Sequence, residues 1–442
     1  MFNNILRQPF LFYWMQLRIQ IIAFALLSAM LFGQELDTLI SSHGSHILGI
    51  SPIVLLKESN LKRLTWNNES HTQIRYSKSY SQEKFTFDGI QIVEAVFNFP
   101  DKARLASMQI SLHNRGDCGD WSKDKFNKTV NRIKNRITEI TKNRNPDSSS
   151  RDLGGETTRQ MLWRTSGYDM ALRWSISDRG PEFITINLEP RGAIQKLSQD
   201  IKASVKANEL VRNVRKESNG TRWIDVPMVN QGDKGYCMVA VMERLFKYYN
   251  SSMDQHIIAQ LMEADANGTD LRKGMEALKS SAHKLQIRVR EIYANPSFQT
   301  LNEFTKMLDR YNNTAKRAGK SVIDLREARR VDYKFDEVFS NVKKGTYVKM
   351  RQNERPGADR MFITVKDSID RGIPLMWMVI IFPGDLRQQP KASFHARLIN
   401  GYNSNTKEII YTDTWGPGHE KKTMKLAEAW AISNMILNIR PQ

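Results

Sequence analysis

The chain has 442 residues, and its 40% hydrophobic content is sufficient for the cores of two domains. Its 66 basic and 47 acidic residues give a formal net charge of +19, so nucleic acid, phospholipid surfaces and acidic cell-wall polymers have to be considered as partners. No zinc finger, basic zipper or other nucleic-acid module accompanies this charge. We therefore expect weak attraction to anionic surfaces and no specific binding of nucleic acid.

The chain begins with a segment typical of export, residues 1–33. An apolar run from Ile21 to Gly33 follows Arg18 and precedes a polar stretch, which fits a signal peptide and is short for a membrane span. Leu31 stands where a cleavage site prefers a small residue, so an uncleaved signal anchor is the alternative. Translation from Met15 would give an ordinary charged region before the run. Either form predicts an exported chain: periplasmic, extracellular or anchored to the outer side of the plasma membrane.

Residues 38–191 are predicted to form an α+β domain of unknown role. Its start, 38–60, is expected to be an irregular lead-in, and the polar stretch 143–158 a mobile loop. Apolar residues spaced three and four apart predict a helix near 126–140, whose basic outer face is either an anion-binding patch or an ordinary solvated surface. The remaining segments are predicted strands, at 85–99, 103–112, 161–164, 168–177 and 182–188.

A linker helix is predicted at 192–219, followed by a second domain at 220–442. Within this domain, helices are expected at 254–262 and 271–285. Strands are expected to form the other half, at 287–292, 374–381, 394–402, 408–414 and 432–439.

Cys237 follows a polar, glycine-containing loop and stands at the start of a predicted core helix. Helix N-termini stabilise a thiolate, and the amide of Gln231, six residues upstream, could help to bind an oxyanion. A lone cysteine in an apolar run is more often an ordinary buried residue, so a nucleophile also requires a base. The helical pattern places apolar residues on one side, namely Met238, Val241, Met242, Leu245 and Tyr249, and Glu243, Arg244 and Lys247 on the other.

The candidate base lies in a predicted β-hairpin near the C-terminus. Strand-like runs at 394–402 and 408–414 flank a turn-rich segment. If the hairpin is centred near Ser404, antiparallel pairing places His395 opposite Asp413. The carboxylate would then hold one imidazole nitrogen, leaving the other to take a proton from Cys237.

These motifs together resemble the papain-like cysteine peptidases. The shared pattern is Gln, five residues, Cys at a helix start, then His at the head of a strand and finally Asp-Thr-Trp-Gly at 413–416. The segments 226–237 and 395–403 are similar to the bacterial double-glycine, or bacteriocin-processing, peptidase-like family, in which Asp replaces the papain Asn. The resemblance covers about residues 220–442, and it implies a papain-like domain with a helical half and an antiparallel sheet half.

The resemblance also implies a role for each matching residue. Cys237 is the expected nucleophile, His395 the general base and acid, and Asp413 the residue that orients the histidine. Gln231 is the expected oxyanion donor, and Trp415 matches the tryptophan that shields the histidine pair from water.

The sequence therefore predicts an exported cysteine peptidase that acts on a protein or peptide and needs no cofactor or metal. Two alternatives remain open. An acyltransferase of the transglutaminase type would use the same triad but pass the acyl group to an amine. A non-catalytic basic protein of the cell surface would keep the fold without a reactive thiol.

The other cysteine and histidines are predicted to lie outside the catalytic group. Cys118 is expected to be a loop thiol, with no disulfide to Cys237, because a nucleophile must be free. His256 and His283 are expected to be packing or surface residues, and His419, in a turn beyond Trp415, is the best rival base.

Overall fold

The computed structural model describes residues 34–442, except 60–64, 67–70, 80, 82, 154–155, 198–204, 230, 232–235, 252, 254, 265–270, 284, 355, 386–390 and 417. The predicted export segment, 1–33, lies outside the described residues. Within the described part, no helix combines the length and apolar character that a membrane crossing requires.

Helices and strands are mixed throughout, as the predicted α+β class requires. The helices are α1 Leu36–His43, α2 Pro52–Ser59, α3 Arg115–Cys118, α4 Lys123–Thr141, α5 Cys237–Tyr248, α6 Gln255–Leu261, α7 Leu271–Ser281, α8 Leu301–Arg317, α9 Leu325–Arg330, α10 Phe335–Phe339, α11 Lys344–Arg351, α12 Ala358–Asp370 and α13 Leu426–Ile432. The strands are β1 Gln34–Glu35, β2 Thr65–Trp66, β3 Gln73–Ser77, β4 Phe85–Phe87, β5 Ile90–Gln91, β6 Glu94–Asn98, β7 Ser107–Asn114, β8 Asp147–Leu153, β9 Glu156–Arg164, β10 Tyr168–Ser177, β11 Gly180–Pro190, β12 Val214–Lys216, β13 Thr221–Ile224, β14 Ile287–Ala294, β15 Leu375–Ile381, β16 Ser393–Asn403, β17 Glu408–Thr412, β18 Lys422–Lys425 and β19 Ser433–Pro441.

The N-terminal part is built on an antiparallel sheet with the strand order β2-β3-β6-β7-β11-β10-β9-β8. Helix α4 lies against β9, β10 and β11. Its Phe126, Val130, Ile133 and Ile137 are buried, which confirms the predicted helix and its apolar face. The apolar face of α4 and the apolar face of the sheet are buried against each other. Together they form one of the two large cores of the described chain.

Two segments of this part differ from the predictions. The expected irregular lead-in contains α1 and α2, and Leu39 and Ile40 of α1 are buried in the N-terminal core. The expected loop at 143–158 is mostly the hairpin of β8 and β9, in register from Asp147 opposite Leu162 to Leu153 opposite Glu156. The backbone hydrogen bonds of this polar stretch are made to the partner strand. Amino-acid composition alone does not reveal such a partner.

The C-terminal part is built on a second antiparallel sheet with the strand order β12-β13-β16-β15-β19-β14, and β17 and β18 continue from β16. The predicted strands of this sheet are confirmed. Helix α5 packs against β16, so a buried helix and a fully paired strand meet at the centre of this part. Their contact lies within the second large core, which also includes α6, α8 and α12.

The predicted linker helix is wrong for the described residues of 192–219. A 3-10 helix at Leu210–Asn213 leads into β12, which pairs with β13 and thereby joins the C-terminal sheet. Burial of Leu210 and hydrogen bonding of β12 outweigh the helical propensity of this polar stretch.

The two parts touch directly through β11 and α6. Phe183 of β11 belongs to the C-terminal core, where its ring lies 5.7 Å from that of His256. Beside it, Gln260 Nε2 donates to Glu156 Oε2 at 2.7 Å, and Arg179 Nη2 donates to the Gln260 carbonyl at 3.2 Å. The contact is therefore partly apolar and partly polar.

Candidate active site

Cys237 is the first residue of α5, as predicted, and Tyr236 is the N-cap. The residue as a whole is partly exposed, whereas its thiol is buried at the edge of the C-terminal core. It is hydrogen-bonded to the His395 side chain, and the backbone amides of Met238 and Ala396 point toward it. A sulfur in this position is surrounded by donors, and the helix N-terminus adds a positive field.

His395 and Asp413 are in direct contact, although their hairpin has a different register from the predicted one. The ring Nε2 lies 2.5 Å from Asp413 Oδ1. Leu398 pairs with Thr412, so Asp413 continues opposite Arg397 rather than His395. Because side chains two residues apart share a face of a strand, His395 still reaches the carboxylate diagonally. Nε2 is occupied by Asp413, which leaves Nδ1 for the thiol.

The charges of the three side chains depend on one another. Burial raises the pKa of the Cys237 thiol, but the hydrogen bond and positive charge of His395 outweigh it, so the net pKa is lower than usual. Burial lowers the pKa of His395, whereas Asp413 and then Cys237 raise it, to about 9 overall. Burial raises the pKa of Asp413, but His395, followed by Arg397 and the Thr414 amide, holds it well below its usual range. The arrangement favours a thiolate beside an imidazolium.

Arg397 is the second cation on Asp413. Its Nε donates to Asp413 Oδ2 at 2.8 Å, while the Thr414 amide donates to Oδ1 at 2.8 Å. The guanidinium also lies over the rings of Tyr411 and Trp415, at 4.8 and 5.6 Å from their centroids. We did not predict this residue, yet the two-residue spacing from His395 in a strand was a usable signal.

Trp415 covers His395. Their rings are stacked, with centroids 4.2 Å apart and an angle of 17° between the planes. The exposed fraction of the His395 residue is 5%. The indole therefore separates the imidazole from solvent, which strengthens the interaction between His395 and Asp413 by lowering the local dielectric constant.

Arg244 is a buried cation that connects α5 to the strand of Asp413. The prediction placed it on the polar side of the helix, and this is wrong: its exposed fraction is 1%, and Glu243 beside it is buried as well. Its guanidinium donates to the carbonyls of Pro227 and Asp413 at 2.8 and 2.7 Å and to Thr412 Oγ1 at 2.7 Å. Seven residues are about two helical turns, so Arg244 lies on the same face as Cys237, and this spacing was the missed signal.

Gln231 is fixed to the residue that follows Asp413. Its backbone amide donates to the Thr414 carbonyl at 2.9 Å, and its side-chain Oε1 accepts from Thr414 Oγ1 at 2.5 Å. This orientation turns the amide NH2 group away from Thr414, as an oxyanion donor would require. The oxyanion role itself remains a prediction, since the loop residues 232–235 lie outside the described part.

The other candidate residues are not part of the Cys237–His395–Asp413 group, although His419 adjoins it. His419 is in the turn after Trp415, where its carbonyl accepts from the Asp413 amide at 2.9 Å and its ring meets the edge of Trp415. Cys118, expected in a loop, is instead the last residue of the short helix α3, and neither cysteine forms a disulfide. Across the described residues, no cluster of three or more His, Cys, Asp or Glu side chains is placed to hold a metal ion.

Comparison with known proteins finds similarity in the same part of the chain. Residues 223–435 match the sequence model of the Peptidase C39-like family. Among solved structures, the peptidase domain of Streptococcus ComA, a bi-functional ABC transporter involved in a quorum sensing pathway, is 16% identical. That match covers 49% of this chain and 98% of the ComA chain, with a TM-score of 0.26, which is too low to bear on function. No curated protein matches the chain.

The family match spans the elements that carry Cys237, His395 and Asp413, and it supports a cysteine-peptidase-like function with a peptide or protein substrate. The helix of the cysteine packs against the antiparallel sheet of the histidine, which is consistent with the predicted papain-like fold. The similarity to the Peptidase C39-like family thus extends over residues 223–435, slightly less than half of the chain.

Proposed function

We propose that this protein is an exported cysteine peptidase that hydrolyses peptide bonds with a Cys237–His395–Asp413 triad. The observation that carries the proposal is the chain of contacts from the thiol at the start of α5, through the imidazole, to a buried carboxylate. An ordinary buried cysteine has no need of a histidine with a raised pKa, whereas a thiol nucleophile does.

The geometry supports a two-step reaction. The Cys237 thiolate attacks the peptide carbonyl carbon, and the oxyanion is held by the Gln231 side chain and the Cys237 amide. As the C–N bond breaks, the His395 imidazolium gives its proton to the leaving amine. Water then attacks the thioester, His395 takes its proton, and the acid product leaves with the thiolate restored.

A peptidase and an acyltransferase differ in the molecule that accepts the acyl group in the second step. In the proposed reaction the acceptor is water, and the products are a free acid and a free amine. Trp415 stacks on a face of the imidazole and not on the ring edge that carries Nδ1. The export segment predicted at 1–33 supports a site of action outside the plasma membrane.

Labelling with a small thiol-reactive probe tests the activated pair. We expect fast labelling of Cys237 near neutral pH and a large decrease in rate for His395→Ala, because the thiolate loses its cationic partner. Mass spectrometry of the labelled peptides reads the rate at each cysteine. Cys118→Ala is the matched control, and it should leave the rate at Cys237 unchanged.

Equal, slow labelling of both cysteines that is indifferent to His395 would rule out the triad. If the pair is active, the substrate search uses peptide libraries with and without an added amine. Release of a free acid that does not depend on the amine supports a peptidase, whereas turnover only with the amine identifies an acyltransferase.

A further inference from the structure

A groove of about 870 Å³ lies on the C-terminal sheet, away from Cys237. Its floor is formed by β14 and the end of β19, and α12 and the end of α7 form its walls. His395 is on β16, and β15 and β19 separate that strand from β14. Three strand spacings amount to roughly 14 Å, so the groove is distinct from the triad.

The groove is lined by cations that lack carboxylate partners. Arg288 and Arg290 alternate along β14, and in register they stand opposite Arg440 and Asn438 of β19, so all four side chains share one face. Arg360 of α12 and Lys279 of α7 also line the groove, as do the acidic Glu291 and Asp367, so that basic side chains outnumber carboxylates there. Across the described residues, none of these five basic side chains forms an ion pair; in contrast, Arg371 at the rim pairs with Asp367.

The pair of Arg288 and Arg440 is unfavourable by itself. Like charges directly opposite on neighbouring strands repel each other and lower stability. An anionic group between the two guanidinium groups would convert this repulsion into two charge-assisted hydrogen bonds. The free protein therefore carries an electrostatic cost that an acidic ligand would remove.

The groove also offers apolar surface and strand edge. Ile363 of α12 is 67% exposed and lines it together with Val289 and Ile292 of β14. Since β14 ends the strand order, one of its edges is unpaired among the described residues. Unpaired edge groups accept an added strand, and apolar contacts suit amino-acid side chains better than a phosphate polymer.

We infer that this groove binds an extended acidic peptide segment in which carboxylate and apolar side chains alternate. The carboxylates would contact Arg288, Arg290, Arg360 and Arg440, and the apolar side chains would contact Ile363 and Ile292. Such a segment would belong to a protein substrate or partner. Binding here does not depend on the proposed chemistry at Cys237.

Fluorescence anisotropy of a labelled peptide of alternating Glu and Val tests the assignment. The full chain carries Cys237→Ala, so that catalysis plays no part in the result. We expect salt-sensitive binding that Arg288→Glu with Arg290→Glu weakens by at least about tenfold, because attraction is replaced by repulsion. The single change Arg288→Glu should leave the melting temperature unchanged or raised, since it creates an opposite-charge pair with Arg440.

A control of equal net charge is available on α9. Arg326→Glu with Arg329→Glu changes two exposed arginines outside the groove and should alter the affinity less than about twofold. Equal weakening by both double variants would overturn the groove and leave only attraction by net charge. Equal or tighter binding of polyphosphate, or of a peptide with Ser in place of Val, would overturn the assignment to an acidic, apolar peptide.

Discussion

Asp413 is the residue on which the ionisation of the site depends. Its side chain is buried and accepts from His395, Arg397 and the Thr414 amide. A buried carboxylate with two cationic partners stays ionised, and its charge in turn keeps His395 protonated. The thiolate–imidazolium pair should therefore persist from the lowered pKa of Cys237 up to the raised pKa of His395, at about 9.

Substitution Asp413→Asn should move the alkaline limit of the reaction. In the wild type we expect activity to be lost as the pH rises through about 9, where the imidazolium loses its proton. The amide keeps the shape but removes the negative charge, so the pKa of His395 falls and the limit should drop by at least about one pH unit. The pH profile of the Cys237 labelling rate measures this shift. An unchanged limit would show that Asp413 does not set the pKa of His395.

Arg244 connects two elements, and its loss should therefore reduce stability. Arg244→Met would leave the carbonyls of Pro227 and Asp413 without this donor, and we expect a loss of about 3 kcal/mol in the free energy of unfolding. Urea denaturation measures the difference. Arg326→Met, on the exposed face of α9, is the matched control and should change stability by less than about 0.5 kcal/mol. Similar losses in both variants would contradict the role of Arg244.

The elements that follow a strong local pattern were predictable, and those that depend on distant partners were not. The spacing of apolar residues indicates α4 and the start of α5 at Cys237, because burial of one face repeats with the helical period. The hairpin of β16 and β17 was also predictable, but its register at Asp413 differs by two residues. The turn is centred after Asn405 rather than at Ser404, and a bulge between Ile399 and Gly401 offsets only part of that difference.

Burial of charged residues was the main error at the level of the site. Arg244 and Arg397 are polar by type, and their buried positions follow from carbonyls and a carboxylate that lie far away in the sequence. The contact between His395 and Asp413 could be predicted because both lie in one hairpin. The strand β12 within 192–219 could not, because its neighbour β13 is itself held in the sheet by β16, far along the chain.

At the scale of the whole molecule, the N-terminal part reaches the residue next to the nucleophile. Gly116 of α3 faces the Tyr236 ring so closely that a Cβ on it would lie 2.4 Å from the Tyr236 hydroxyl and 2.6 Å from ring carbons. Tyr236 caps the helix that begins at Cys237. A change at α3 of the N-terminal part can therefore be transmitted to the thiol through one ring.

Gly116→Ala should slow the labelling of Cys237 several-fold, because Tyr236 must move to admit the methyl group. Gly345→Ala is the matched control, since its added Cβ meets nothing within 4 Å. Adding Tyr236→Leu to Gly116→Ala should give less than the sum of the two single effects, because the shorter side chain removes the clash. Additive effects would show that the two residues are not coupled.

Phe183 couples the unfolding of the two parts. It lies in β11, whose Ile184, Ile186 and Leu188 fill the N-terminal core, while its own ring lies in the C-terminal core beside His256. Unfolding of either core would expose apolar side chains of the other, so the two cores should unfold together. Calorimetry should therefore record a single cooperative heat-absorption peak. Phe183→Ala removes about 3–5 kcal/mol of packing at this wall and should split that peak into two.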